Sequence, residues 1–108
     1  MVVVPCSMGT LGRITHGMST CLLERAADVC MKQKKPLIIC PRETPLSAIH
    51  LENMLKLSRL GVDILPLMPG FYHPTNELLD VVKFMTAKIF DSLGLEHQLQ
   101  KKWRADQI

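Results

Sequence analysis

Three short loops hold most of the residues in this sequence that can do chemistry. The first, Pro5 to Gly12, reads PCSMGTLG and sets Ser7, Gly9 and Thr10 between a β-branched run and a helical pattern. N–H groups at a helix start lack intrahelical partners and lie at the positive end of the helix dipole, so this loop suits an anion. Taken alone, hydroxyls at such a place are more often ordinary N-caps. The second, Pro41 to Pro45 (PRETP), pairs Arg42 with Glu43 between prolines. A guanidinium can grip a phosphate with two parallel N–H bonds, and a carboxylate with a raised pKa can relay a proton. The other reading is two charges facing water. The third, Pro66 to Pro74 (PLMPGFYHP), offers Tyr72 and His73. A tyrosine hydroxyl can donate to a phosphate oxygen or protonate a leaving group, or the ring can serve as a lid.

Other reactive types are less organised. Lys32, Lys34 and Lys35 fall at the end of a helical pattern, where the dipole favours cations; Lys32 could meet a ligand only in a neighbouring subunit, because that helix end faces away from the three loops. His16, His50 and His97 show no partner spacing. Cys6, Cys21, Cys30 and Cys40 form no CxxC or Cys/His ligand pattern and are expected to be buried thiols rather than disulfides or zinc ligands. The seven methionines read as core filling.

Strands and helices must hold these loops in place. Val2 to Val4, Leu37 to Cys40 and Val62 to Leu67 are short apolar runs ended by Pro or by a Pro-Gly loop, as buried strands are. Between them Ile14 to Met31 is expected as one helix, with Met18, Leu22, Ala26 and Val29 at helical spacing, and Leu46 to Leu60 as another. For the second, Thr44 is the expected N-cap, Pro45 the first helical residue and Gly61 the stop. A last helix is expected from after Thr75 to about Leu93, with Gly94 as its stop. The resulting βαβαβα order predicts an α/β fold, a Rossmann-like (flavodoxin-like) parallel sheet with right-handed helical crossovers. Residues 1–94 form the domain and 95–108 a polar tail carrying Trp103. In such sheets ligands collect beyond the carboxyl ends of the strands, where all three loops fall. The chain opens inside a strand, which leads us to expect that the βαβαβα unit is a truncated part of a larger sheet.

Bulk properties bound the function. The 108 residues fit one small domain, and 47% apolar against 21% charged residues predicts a packed core. A net charge of +3 with scattered basic residues and few aromatics does not indicate nucleic-acid binding. No apolar run approaches the roughly 18 residues of a membrane span, and no export signal is seen, so a cytoplasmic protein is expected.

The segments PCSMGTL, LLERAADVCMK, PLIICPRETPLSAIHLENMLKLSRLG, ILPLMPGFYH and the late Trp103 resemble, in order and spacing, the C-terminal half of UbiX-type flavin prenyltransferases. The resemblance runs over nearly the whole chain, and PRETPL followed by HLxNM is specific to that family. It implies transfer of a dimethylallyl group from dimethylallyl monophosphate to N5 and C6 of reduced FMN, giving the prenylated flavin of UbiD-type decarboxylases, one of which acts in ubiquinone biosynthesis. By position it implies that Ser7, Met8, Gly9, Thr10 and Arg42 contact FMN and that Tyr72 and Lys88 hold the prenyl phosphate. Arg25 and Lys32 match basic residues reaching that phosphate across a subunit interface of a large homo-oligomer. Glu43 matches a carboxylate implicated in proton handling, and Trp103 an aromatic near the same site. No metal is implied. The family's GxSG-type loop for the FMN phosphate does not occur in this sequence, so a separate N-terminal half is an expected partner. Two functions remain open at this stage: a flavin prenyltransferase, or a non-catalytic remnant or oligomerisation module that keeps the fold.

Overall fold

A computed structural model describes residues 1–71 and 77–99. They divide into two units, Met1–Leu67 and a second beginning at Met68.

The first unit is built on three parallel strands, β1 (Val2–Cys6), β2 (Ile38–Pro41) and β3 (Asp63–Ile64), in the order β1-β2-β3. Val2 pairs with Ile38, Val3 with Ile39 and Cys6 with Pro41, with an irregularity between Val3 and Cys6; Ile38 and Ile39 pair with Asp63 and Ile64. Each of the two pairings is joined by a helical return connection, which parallel strands require. Helix α1 (Met8–Thr15) and α2 (Leu22–Lys32) link β1 to β2, and α3 (Ala48–Arg59) links β2 to β3. The core joins Val3, Cys6, Leu37 and Ile39 to Leu11 and Ile14 of α1, Ala27 of α2, Leu57 of α3 and Val62. Cys40, with Ile38, is equally buried.

The α/β expectation is met, with corrections in detail. The single helix expected over Ile14 to Met31 is two. Its apolar spacing runs on through the break, but the His16 N–H donates to the Gly12 carbonyl and the Gly17 N–H to that of Ile14, which closes α1, and Gly17 takes φ +70°. The second helix starts at Ala48, not after Thr44. Ser47 and His50 form a reciprocal cap in which each side chain accepts the other's backbone N–H, at 3.2 and 3.1 Å, and Thr44 has no equivalent. Gly61 lies just past its end with φ +90°, as expected. The third strand is shorter than the apolar run, although Leu65 and Leu67 N–H still donate to Ile39 and Pro41 carbonyls. Cys21 is exposed at the head of α2 and Cys30 half-buried, so only Cys6 and Cys40 are the buried thiols expected; all four are free.

In the second unit α4 (Leu78–Leu93) buries Phe84 and Ala87 and ends at Gly94 with φ +72°. The expected tail begins in order. His97 Nε2 lies 2.7 Å from Asp91, its Nδ1 accepts Leu99 N–H, and its ring meets Phe90 edge-on, so residues 95–99 fold back on the helix end. His97 and His50 therefore have partners that sequence spacing did not reveal. No described helix is long and apolar enough to cross a membrane.

Candidate functional site

Because the strands are parallel, their carboxyl ends share one edge, and the loops after β1 and β2 emerge side by side. Arg42 N–H donates to the Cys6 carbonyl at 3.2 Å, which fixes the start of the second loop against the end of the first.

In the first loop Ser7 caps α1: its Oγ accepts Thr10 N–H and donates to Thr10 Oγ1, both at 3.2 Å. Leu11 N–H takes the Ser7 carbonyl, so the Met8 and Gly9 N–H groups are the first-turn donors that no intrahelical acceptor can reach. Capping and anion binding thus coexist, since the cap uses one donor and leaves two. The Cys6 thiol is pushed up to about 11 by burial and by the neighbouring Cys40, against a weaker opposing hydrogen bond with the Leu11 backbone; burial raises Cys40 as well. Both thiols stay protonated and inert beneath the loops.

Arg42 and Glu43 are exposed. The Glu43 carboxylate turns back on its loop and accepts Thr44 N–H at 3.1 Å. Arg25 and Lys32 are exposed on α2, where Leu22, Arg25, Val29 and Lys32 fall at i, i+3, i+7 and i+10 and share one outward face. Leu22 keeps 83% of its exposure and Val29 39%, so the two cations sit on an uncovered apolar stripe. Lys88 belongs to the second unit, its ammonium 5.4 Å above the Phe84 ring centroid. Tyr72 and Trp103 lie outside the described residues.

Sequence reasoning overlooked a polar group just behind the first loop. Arg13 donates from Nε to Glu24 at 2.6 Å, and Glu24 also accepts Thr20 N–H at 2.9 Å and the Thr20 hydroxyl at 2.6 Å. Glu24 is only 2% exposed. The Thr20 hydroxyl, then Arg13 and the Thr20 N–H, lower its pKa to about 2, outweighing burial, and the Arg13 pKa is raised in turn. A Thr four residues before a Glu at the start of an apolar helix was the available signal. Nearby, Asn53 of α3 is 8% exposed and has no hydrogen-bond partner among the described residues, its Nδ2 3.7 Å from where a Cβ on Gly12 would lie.

These features suit a ligand with phosphate oxygens: two open backbone donors, hydroxyls, a nearby guanidinium, and side-chain-free Gly9 and Gly12 on one helix face. The Flavoprotein family model matches residues 1–90. The chain belongs to the Flavoprotein family. It is 57% identical over 103 residues to the flavin prenyltransferase UbiX of Alkalihalophilus pseudofirmus, covering 95% of this chain and 52% of that protein. To the flavin prenyltransferase UbiX of Pseudomonas aeruginosa it is 50% identical, covering 95% and 49%. The chain spans about half the length of the curated relatives it matches. Its fold superimposes with a TM-score of 0.93 on a dodecameric FMN-dependent UbiX-like decarboxylase from Escherichia coli O157:H7, at 48% identity over 97% of this chain and 57% of that one. The same score holds, at 39% identity over 97% and 56%, for a UbiX protein in complex with FMN and dimethylallyl pyrophosphate. The expected kinship with UbiX-type proteins and the flavodoxin-like fold are thereby established.

Proposed function

We propose that the protein carrying this chain is a flavin prenyltransferase. It moves a dimethylallyl group from dimethylallyl monophosphate to N5 and C6 of reduced FMN, closes a fourth ring and releases inorganic phosphate. The carrying observation is that this fold is shared, at a TM-score of 0.93, with a UbiX protein that binds FMN together with a dimethylallyl ester. The prenylated flavin is the cofactor of UbiD-type decarboxylases, and we read the protein as a cytoplasmic supplier of it in routes such as ubiquinone biosynthesis.

Reduced FMN supplies the nucleophilic atoms of the reaction. The chain's own residues supply position and charge. Ser7, Met8, Gly9 and Thr10, at the open turn of α1, together with Arg42 on the adjoining loop, contact FMN. Tyr72 and Lys88 hold the prenyl phosphate with the aromatic Trp103 near it, and their donors oppose the charge that builds on the phosphate as its bond to carbon breaks. Glu43 handles protons, its reach set by the loop it folds back on. Arg25 and Lys32 complete the phosphate site of a neighbouring subunit. Their shared outward face with Leu22 and Val29 supports a homo-oligomer, as does the dodecameric relative.

The test is anaerobic incubation of the chain with reduced FMN and either dimethylallyl monophosphate or its pyrophosphate, alone and with the unmatched half of a relative added. A flavin heavier by one five-carbon unit, formed faster from the preferred ester, is the expected product. No prenylated flavin under any of these conditions would sink the proposal, and FMN binding without product would mark a binding module instead.

A further inference from the structure

Arg13 is a prepared cation to which the family resemblance gives no role. It lies in the last turn of α1, and helical side chains lean toward the helix N-terminus. Its guanidinium therefore reaches back over Gly9, where Nη1 and Nη2 would stand 3.3 and 3.6 Å from a Cβ if that residue had one. Glu24 holds it through Nε alone, and Thr20 locks Glu24 in turn. Among the described residues Nη1 and Nη2 have no hydrogen-bond partner, and the side chain keeps 39% of its exposure. The buried carboxylate thus orients the guanidinium from behind and leaves its two-pronged edge open beside the first turn of α1. On the next turn, at Gly12, stands the buried Asn53 carboxamide, unpartnered among the described residues.

We propose that Arg13 is a further anion-binding residue of this site, its Nη edge joining the Met8 and Gly9 N–H groups and the Asn53 amide to receive the oxygens of a phosphate monoester, with Glu24 as its positioning residue. This rests on the prenyltransferase reading. Two ligands of that reaction carry such a phosphate, FMN and dimethylallyl monophosphate, and a guanidinium fork serves either.

The experiment is calorimetric titration of the full chain with inorganic phosphate, FMN and dimethylallyl monophosphate, using riboflavin and dimethylallyl alcohol as phosphate-free counterparts. Arg13→Gln should weaken one ester by about tenfold or more, the worth of a charged hydrogen bond, and leave its phosphate-free counterpart unchanged. The ester affected identifies the source of the phosphate. Arg13→Lys, which can pair with Glu24 but has no fork, should lose as much. Gly9→Ala, whose methyl would push on Nη1, should weaken the same ester without removing a charge. Thermal unfolding of each variant separates lost binding from lost fold. Equal affinity of wild type and Arg13→Lys for every ligand would overturn the proposal, as would the absence of phosphate-dependent binding by the wild-type chain. Phosphate-dependent binding that needs Arg13, with no prenylated flavin formed, would leave this inference standing and remove the reaction it was attached to.

Discussion

Glu24 shows how much one buried carboxylate can organise. It accepts three hydrogen bonds from two residues and ties the last turn of α1 to the head of α2. Its pKa is lowered to about 2 in the folded chain, against an ordinary value of 4.5. The unfolded chain therefore takes up the proton more readily, and the stability the group supplies is complete above about pH 4.5 and drains away as pH falls toward 2. The urea midpoint of the wild-type chain should drop across that interval, and Glu24→Gln should be less stable at neutral pH with a shallower acid decline. Parallel acid profiles for the two proteins would contradict this assignment. The candidate anion-binding loops were legible because Gly, Ser, Thr, Arg and Pro at strand ends carry a local signature. The clamp behind them was not, because Arg13 and Glu24 are 11 residues apart and meet only through a turn whose path no periodicity encodes.

At the scale of elements, punctuation decided what could be read. Gly61 and Gly94 were correctly placed as helix stops, since a left-handed residue after an apolar repeat points to a helix end. The split between α1 and α2 was hidden because Ile14, Met18 and Leu22 keep helical spacing across the turn. The start of α3 was misplaced because Thr44 and Pro45 form a plausible cap in sequence, while the working one is the Ser47 and His50 pair. Histidine fills the place that Glu or Gln takes in most such boxes, so His50→Gln should hold stability within about 0.5 kcal/mol, whereas Ser47→Ala should cost about 1 kcal/mol. Chemical denaturation of the two variants checks this, and an equal loss in both would show that the reciprocal bond at residue 50 depends on the imidazole.

For the whole molecule, the parallel pairing of the strands was readable from the βαβαβα order and the length of the connections, and with it the sheet edge from which the first two loops emerge. What the sequence could not display was the outward face of α2. Leu22 and Val29 look like core positions by type and spacing, yet Ala27 and Glu24 are the residues that face inward. An apolar stripe bearing two cations fits contact with another copy. Val29→Asp should reduce the assembled mass seen by sedimentation while leaving helix content intact, and an unchanged assembly would move the interface elsewhere.

The Arg13 and Glu24 bridge also separates mechanics from connectivity. With one end of the bridge on α1 and the other on α2, the spacing between the first turn of α1 and the α2 face is set by a strut as well as by the chain joining them. That link is itself hydrogen-bonded, Gly17 N–H to the Ile14 carbonyl at 3.3 Å and Met18 N–H to the Arg13 carbonyl at 2.8 Å, with Gly17 at φ +70°. A residue with a side chain at Gly17 has room but strains the backbone there, so it would shift Arg13 against Arg25 through the link while the strut resists the change.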